Sequence, residues 1–165
     1  MMPDDSRDTF PRPRRTGESF FGKNWGAKLL PNPIVYRSLA VALTVPETVQ
    51  VGTPTTFTLR VRNRLPVTVS LPLPTSRVWG WTVDDLNEAD ERGYAPPAHP
   101  RTISLSSRGE RRFEWSWDGT IRRMRDDSKD EWVPAMGTHA VTAYIAIADW
   151  ETRNAFDRAN VTVVE

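Results

Sequence analysis

The sequence predicts an all-β fold, an antiparallel β-sandwich of seven or eight strands. Three observations predict it: short segments alternate apolar and polar residues, turn residues separate them at regular spacing, and helical periodicity is almost absent. The 165-residue chain contains 14 prolines, which favour turns and extended segments over long helices. Its length suits one domain with a substantial core and a terminal extension.

The first two predicted strands lie on either side of a turn. Leu39–Val45 (LAVALTV) and Thr55–Asn63 (TTFTLRVRN) each place large apolar residues at every second position. The sequence VGTP between them predicts the turn. Arg60 and Arg62 fall on the second face of their strand, which indicates that this face is solvated.

Further segments of the same kind complete the predicted sandwich. Only one segment is predicted to be helical, Asp84–Arg92, with Asp84 as its N-cap and acidic residues in its first turn. Gly80 separates two tryptophans within a strand and predicts a bulge or a close approach of another group. The remaining predicted strands are Val67–Leu71, Arg77–Val83, Arg101–Ser106, Arg111–Trp117, Thr138–Ala148 and Asn160–Val164.

Tryptophans occur in pairs at strand spacing. Trp79 and Trp81 share one face of a predicted strand, and Trp115 and Trp117 share one face of another. We expect both pairs to pack in the core, with a partly exposed aromatic face for carbohydrate or protein as the alternative. The strand that ends at Trp117 and the next long strand are expected to form a hairpin around a charged loop.

Residues 1–37 are predicted to form an extended basic and aromatic arm, and residues 38–165 the domain. Prolines interrupt the arm. Between residues 10 and 37 the sequence contains six arginines and lysines but only one acidic residue, a glutamate. Either its last part packs on the domain, or the arm orders on a partner with an acidic surface, RNA included. The arm residues predicted to contact a partner are Arg12, Arg14, Arg15, Phe20, Phe21, Lys23, Trp25, Lys28 and Tyr36.

The sequence offers no catalytic or cofactor-binding motif. It has no cysteine and two histidines, His99 and His139, neither of which has a partner at a recognised spacing. The acidic run from Asp84 to Glu91 lacks the order and the central glycine of a calcium loop. We therefore expect no enzyme activity, metal or cofactor. Because the chain also lacks a signal peptide and an apolar span, we expect a cytoplasmic protein without membrane contact.

Two stretches resemble a known family. EWSWDG at Glu114–Gly119 followed by VPAMGTHAVTA at Val133–Ala143, together with VGTPTTFTLRVRNRLPVTVSL upstream, is similar to the BsuPI-type intracellular proteinase inhibitor domain. The resemblance covers about residues 39–165 and implies an immunoglobulin-like sandwich. His139 stands where the family usually has a tyrosine, so the tyrosine-corner hydrogen bond is not expected in its usual form.

The resemblance implies that the protein binds another protein. The loop at 118–132 and the turn at 72–78 would then approach the target, and the loop residues predicted to contact it are Arg122, Arg123, Arg125 and Trp132. The sequence thus predicts a non-enzymatic protein-binding module, on this resemblance a proteinase inhibitor. The alternative is a structural or accessory subunit of a large assembly, a ribonucleoprotein or virion, anchored by the arm.

Overall fold

The computed structural model describes residues 30–125 and 129–165. This part of the chain is built almost entirely from strands, with one short helix, α1, at Asn32–Arg37. The strands are β1 Leu39–Thr44, β2 Thr48–Gln50, β3 Thr55–Asn63, β4 Val69–Leu73, β5 Trp79–Val83, β6 Leu86–Asn87, β7 Arg101–Leu105, β8 Glu110–Trp117, β9 Thr120–Arg123, β10 Glu131–Pro134, β11 Gly137–Ile145 and β12 Phe156–Val164.

Two main sheets form the sandwich, and the predicted fold class is confirmed. One has the order β1-β3-β8, and the other has the order β2-β12-β11-β5-β6. The pairs β4–β7 and β9–β10 form two smaller sheets. β2 runs parallel to β12, whereas the neighbours within the three-stranded sheet are antiparallel. Antiparallel sheets that face each other in this way are the architecture of immunoglobulin-like domains.

The core lies between the sheets and follows the alternation of the sequence. Phe57, Leu59 and Val61 of β3 are buried, while Arg60 and Arg62 are exposed, as the pattern predicts. Strands β4, β7, β11 and β12 add further buried apolar side chains to the same cluster. Fully burying each large side chain contributes about 1.5–3 kcal/mol.

An aromatic cluster joins the two main sheets. The ring of Trp115 on β8 stacks on Phe57 of its own sheet, with a centroid distance of 5.4 Å. It also lies 5.3 Å from Trp79 and 5.6 Å from Trp81, both on β5 of the opposite sheet. Trp117 contacts Phe57 and Trp81 at 6.2 and 6.5 Å. The paired tryptophans therefore pack together between the sheets, and each such aromatic pair adds about 0.5–1.5 kcal/mol beyond its buried area.

The predicted long hairpin is wrong. β8 pairs with β3, whereas β11 pairs with β5 and β12 in the other sheet. The chain between them crosses from one sheet to the other, and on the way it forms the separate hairpin β9–β10. Adjacency in sequence suggested a pairing that the two-sheet architecture does not use.

The predicted helix at Asp84–Arg92 is also wrong. Asp84, Asp85, Glu88 and Ala89 have φ between 46° and 68°, which lies in the left-handed region that a right-handed helix excludes. The segment turns sharply through the short strand β6 instead. The turns allow Ala89 to reach the core, where it is fully buried.

Helix α1 lies within the segment predicted as the arm. Pro33 stands in its first turn, a position that tolerates the missing N–H of proline. Val35 and Tyr36 are buried in the core cluster, and the Tyr36 ring also lies 4.2 Å below the Arg153 guanidinium. Tyr36 is therefore packed inside the domain in this structure rather than presented to a partner.

Gly80 marks a close approach, one of the two predicted alternatives. A Cβ at this position would lie 2.5 Å from the hydroxyl oxygen of Tyr144. The Tyr144 ring is held in turn by stacking on Trp150, with a centroid distance of 4.1 Å. Only a residue without a side chain leaves room for this ring.

A buried asparagine ties β3 to the β4–β7 pair. Asn63 is fully buried, and its amide nitrogen donates to the carbonyl oxygens of Val67 at 2.7 Å and Ser106 at 2.9 Å. Its amide oxygen accepts the N–H of Leu65 at 2.9 Å. The side chain thus satisfies backbone groups of two separate connections that have no strand partner.

Replacing Asn63 tests this role. Asn63→Asp keeps the shape of the side chain but replaces the NH₂ group, which donates to two carbonyl oxygens, by an oxygen that repels them. We therefore expect it to lower the free energy of unfolding by about 2–4 kcal/mol. Urea denaturation measures the effect. The exposed change Asn160→Asp serves as a control and should alter stability by less than about 0.5 kcal/mol. Equal effects of the two changes would contradict the proposed role.

Candidate protein-binding surface on the β9–β10 hairpin

The hairpin β9–β10 is attached to the aromatic cluster at its base. Asp118 accepts hydrogen bonds from the backbone N–H and the hydroxyl of Thr120, at 3.1 and 2.7 Å. The indole N–H of Trp117 donates to the carbonyl of Thr120 at 2.7 Å. On the returning strand, the N–H of Ala135 donates to the carbonyl of Gly119 at 2.9 Å. The hairpin therefore begins and ends on groups fixed by the core.

Large apolar side chains on the hairpin strands or directly after them are exposed to solvent. Met124 is 60% exposed, Trp132 is 54% exposed and Met136 is 50% exposed. Among the described residues, these are three of the six large hydrophobic side chains that are exposed. Single exposed hydrophobics need no explanation, but a group of them on one small element indicates a contact surface.

Four charged side chains join the hairpin to the turn after β6. Arg122 binds Asp130 at 2.6 Å and lies 3.9 Å from Asp90. Arg92 binds the same two carboxylates, at 2.9 Å for Asp130 and 3.1 Å for Asp90. The hydrogen bond from Arg92, followed by the charges of both arginines, lowers the pKa of Asp90 despite its partial desolvation.

Backbone hydrogen bonds strengthen the same junction. The N–H of Arg122 donates to the carbonyl of Ala89 at 2.8 Å, and the N–H of Glu91 donates to the carbonyl of Arg122 at 3.0 Å. Arg122 and Asp90 form an isolated parallel bridge. The hairpin is therefore held on two sides, by its base and by the turn after β6.

The basic residues predicted as partner contacts do not share one environment. Arg122 is engaged with two aspartates, and its guanidinium lies 5.8 Å from the Trp132 ring centroid. The side chains of Arg123 and Arg125 are 63% and 66% exposed, with single ion pairs to Glu91 and Glu131. The structure thus leaves Arg123, Arg125 and Trp132 accessible and places Arg122 in a supporting role.

His139 forms the corner between the hairpin and β11. Its Nε2 lies 2.8 Å from the carbonyl oxygen of Ala135, and its Nδ1 lies 2.7 Å from Asp84 Oδ2. Each ring nitrogen thus lies within hydrogen-bond distance of an oxygen atom. The bond to a carbonyl four residues upstream resembles the tyrosine-corner bond. His139 thus links the end of the hairpin to the β5–β6 turn.

Asp84 completes this corner. It accepts the N–H of Ala140 at 2.9 Å as well as the bond from His139. Desolvation raises the pKa of Asp84, but the hydrogen bonds from His139 and Ala140 and the charge of His139 outweigh it, and the net pKa is lowered. The ionised carboxylate therefore stabilises the connection of the β5–β6 turn to the start of β11.

A groove lies beside the hairpin. Its volume is about 610 Å³, and one wall is formed by the exposed Trp132. The other lining residues include Pro54, Trp81, Glu88, Trp117 and Asp118. Trp81 and Trp117 belong to the aromatic cluster and expose only small parts of their rings to the groove, 9% and 4% of each residue, whereas Trp132 is largely exposed.

The other predicted sites are placed as follows. The arm residues Arg12, Arg14, Arg15, Phe20, Phe21, Lys23, Trp25 and Lys28 lie outside the described residues. Residues 72–78 include the end of β4 and the turn that leads to β5. In residues 30–125 and 129–165, no group of three or more aspartate, glutamate or histidine side chains is arranged to hold a metal ion. No helix in these ranges is long and apolar enough to cross a membrane.

Sequence reasoning missed Met124 and Met136 as surface residues. Methionine is usually a core residue, so the sequence alone did not show their exposure. The available signal was that both methionines stand outside any apolar alternation, Met124 within the predicted contact loop and Met136 shortly after it.

Comparison with known proteins places the chain in a family. Residues 27–164 match the model of a family of unknown function, DUF7974. The chain belongs to this family. The match includes helix α1 and all twelve strands of the DUF7974 chain. No curated protein matches the chain.

Solved structures resemble the DUF7974 domain only distantly. A CARDB domain from Pyrococcus furiosus aligns with a TM-score of 0.46 and 16% identity, over 77% of this chain and 94% of that domain. A β-glucosidase from Listeria innocua in complex with glucose has a TM-score of 0.46 and 12% identity, over 77% of this chain and 16% of the enzyme.

The corner at Asp84 predicts a dependence of stability on pH. Because its folded-state pKa is lowered, the carboxylate contributes stability above its unfolded pKa of about 3.9, and this is lost as pH falls through the folded value. Asp84→Asn should therefore remove part of the decrease in folding stability that the unchanged protein shows at acidic pH. The difference from the unchanged protein should stay below about 1 kcal/mol at neutral pH, since the carboxylate is half exposed and screened by solvent.

Urea unfolding between neutral and acidic pH measures this difference. The two proteins should converge in stability as Asp84 becomes protonated. Asp85→Asn is the control, because Asp85 makes neither the bond to His139 nor the bond to Ala140. A pH-independent difference between the Asp84 variant and the unchanged protein would refute the assignment.

Proposed function

We propose that this protein is a non-enzymatic protein-binding module that docks its partner on the β9–β10 hairpin. The contact residues form what we call the hairpin surface: Arg123, Met124, Arg125, Trp132 and Met136. The observation that carries the proposal is the exposure of three large apolar side chains, Trp132 on β10 and Met124 and Met136 just beyond the ends of β9 and β10. Tryptophan, methionine and arginine are also the residue types enriched in protein–protein interfaces.

The support beneath the hairpin surface favours binding. The aromatic cluster holds the base of the hairpin, and the four-residue ion-pair network holds one strand against the turn after β6. A surface that is already ordered loses less conformational entropy when a partner binds. Trp132 is 54% exposed, and tryptophan is among the residue types enriched in binding hot spots.

Within this proposal, an intracellular proteinase is the partner class that the sequence resemblance favours. The segment expected to approach a proteinase, residues 118–132, contains β9 and leads into β10. Its exposed arginines and Trp132 would then contact the surface of the proteinase. This finer proposal depends on the resemblance alone.

The hairpin surface can be tested by substitution. The combined variant Met124→Ser, Trp132→Ala and Met136→Ser should lose a partner that the unchanged chain retains in a pull-down from native cell extract. For the recovered, purified partner, loss of a hot-spot tryptophan should weaken binding at least about thirtyfold. Calorimetric titration of the two purified proteins measures the change.

A matched control uses equally exposed side chains elsewhere. Ile34 and Tyr94 are 47% and 54% exposed and lie outside the hairpin. Ile34→Ser together with Tyr94→Ser should leave the affinity unchanged. Loss of binding in this control, or full binding by the hairpin variant, would show that the partner docks elsewhere.

The proteinase proposal has its own assay. The purified chain is added to intracellular serine proteinases, and residual activity is measured with and without the hairpin substitutions. Inhibition that disappears with the hairpin variant supports it. No inhibition and no complex at micromolar concentration would remove the inhibitor interpretation but leave the binding module standing.

A second candidate, a subunit of a large assembly, is favoured by the composition of the arm. Six basic residues face one acidic residue between positions 10 and 37, with aromatics among them. Arg12→Gln, Arg14→Gln and Arg15→Gln in the full chain should then reduce co-sedimentation with the assembly. A steep loss of the unchanged chain with added salt would indicate nucleic acid as the bound surface, and co-sedimentation unaffected by the substitutions would count against the candidate.

A further inference from the structure

The groove beside Trp132 is not explained by the hairpin surface, which faces solvent. Three tryptophans, Trp81, Trp117 and Trp132, are among its lining residues. Two carboxylates, Glu88 and Asp118, lie on its lining. We propose that this groove binds the chain's own segment Phe10–Arg15, FPRPRR, within the same molecule.

The aromatic lining fits the prolines of this segment. Grooves lined by tryptophan and other aromatic rings bind extended proline-containing segments, because the flat proline ring packs on the indole faces. Pro11 and Pro13 alternate with arginine, which favours the extended conformation that such a groove accepts. Their fixed φ also reduces the entropy that is lost when the segment is ordered.

The carboxylates fit the arginines of this segment. Asp118 uses Oδ1 for its two bonds to Thr120, and its Oδ2 has no hydrogen bond or ion pair within the described part of the chain. Glu88 binds Arg77 through Oε1 at 2.8 Å, which leaves its Oε2 available. Arg12, Arg14 and Arg15 can each donate to such oxygens through a planar guanidinium.

The length of the intervening chain permits the contact. Leu30, where the described structure begins, lies fifteen positions after Arg15 in the sequence. A chain of this length spans up to about 50 Å when extended. The radius of gyration of a domain of this size is only about 14 Å, so the intervening chain is long enough to reach across most of the domain surface.

The contact adds a function that the proposed docking of a partner does not require. An arm bound in the groove lies against the inner side of Trp132, next to the hairpin surface. A partner that also covers Trp132 must then share or displace the arm. The inference does not depend on which partner the hairpin surface binds.

The absence of cysteine makes a direct test possible. Gly17→Cys introduces a single thiol, to which a nitroxide spin label is attached next to the segment. In the full chain, the indole N–H signals of Trp81, Trp117 and Trp132 should then lose most of their intensity. The signal of Trp150, which lies outside the groove, should be retained. Adding an excess of unlabelled chain should not restore the groove signals, because the contact is intramolecular.

Two further variants of the labelled chain complete the test. Arg12→Glu, Arg14→Glu and Arg15→Glu together should restore the groove signals. The matched variant Lys23→Glu and Lys28→Glu also adds negative charge to the arm but leaves the segment intact, so it should preserve the loss of intensity.

Several outcomes would overturn the inference. They are retained groove signals in the labelled chain, an equal loss at Trp150, or broadening that persists in the triple glutamate variant. Recovery on dilution with unlabelled chain would show that the groove takes the segment of a second copy instead. Each of these results is independent of whether the hairpin surface binds a partner.

Discussion

The packing of Trp115 between the two sheets is the contact on which the rest of the molecule depends. Its ring contacts Phe57 on one side and the β5 tryptophans on the other. Its buried indole nitrogen has no hydrogen-bond partner in the described structure, an arrangement that costs about 1–3 kcal/mol. Shape, rather than polar satisfaction, therefore fixes its orientation. Trp117 links this cluster to the hairpin, because its indole N–H donates a hydrogen bond to the carbonyl oxygen of Thr120.

The hairpin combines a fixed base with an exposed apolar end. Its individual ion pairs contribute little to stability, since exposed pairs are worth about 0–1 kcal/mol each. Their effect is geometric, because Arg122 can bind Asp90 and Asp130 only when the hairpin lies against the turn after β6. Arg122 also lies beside Trp132 and limits its orientations. The charged side chains therefore fix the position of Trp132 on the hairpin.

The sequence predicted the sandwich because the alternation of residues records which side chains face the core. It did not predict how β8 and β11 pair, since neighbouring strands can lie in one sheet or in two. The acidic composition of Asp84–Arg92 favours a helix start, and the left-handed turns there follow from tertiary contacts. For the candidate site, Trp132 and the arginines were identifiable by residue type. The exposure of the methionines and the ion pairs of Arg122 depend on the tertiary structure and could not be predicted from residue type.

The parallel pairing of β2 with β12 has a consequence for the order of folding. Thr48 of β2 is paired with Thr162 of β12, and the N–H of Leu43 on β1 donates to Asp157 of β12. These contacts of two early strands can form only when the last strand is present. Until β12 is present, β2 has no strand partner in its sheet. Such non-local pairings form slowly and leave apolar strands uncovered until they do. The five-stranded sheet is therefore completed only when β12, the last strand in the chain order, pairs with β2 and β11.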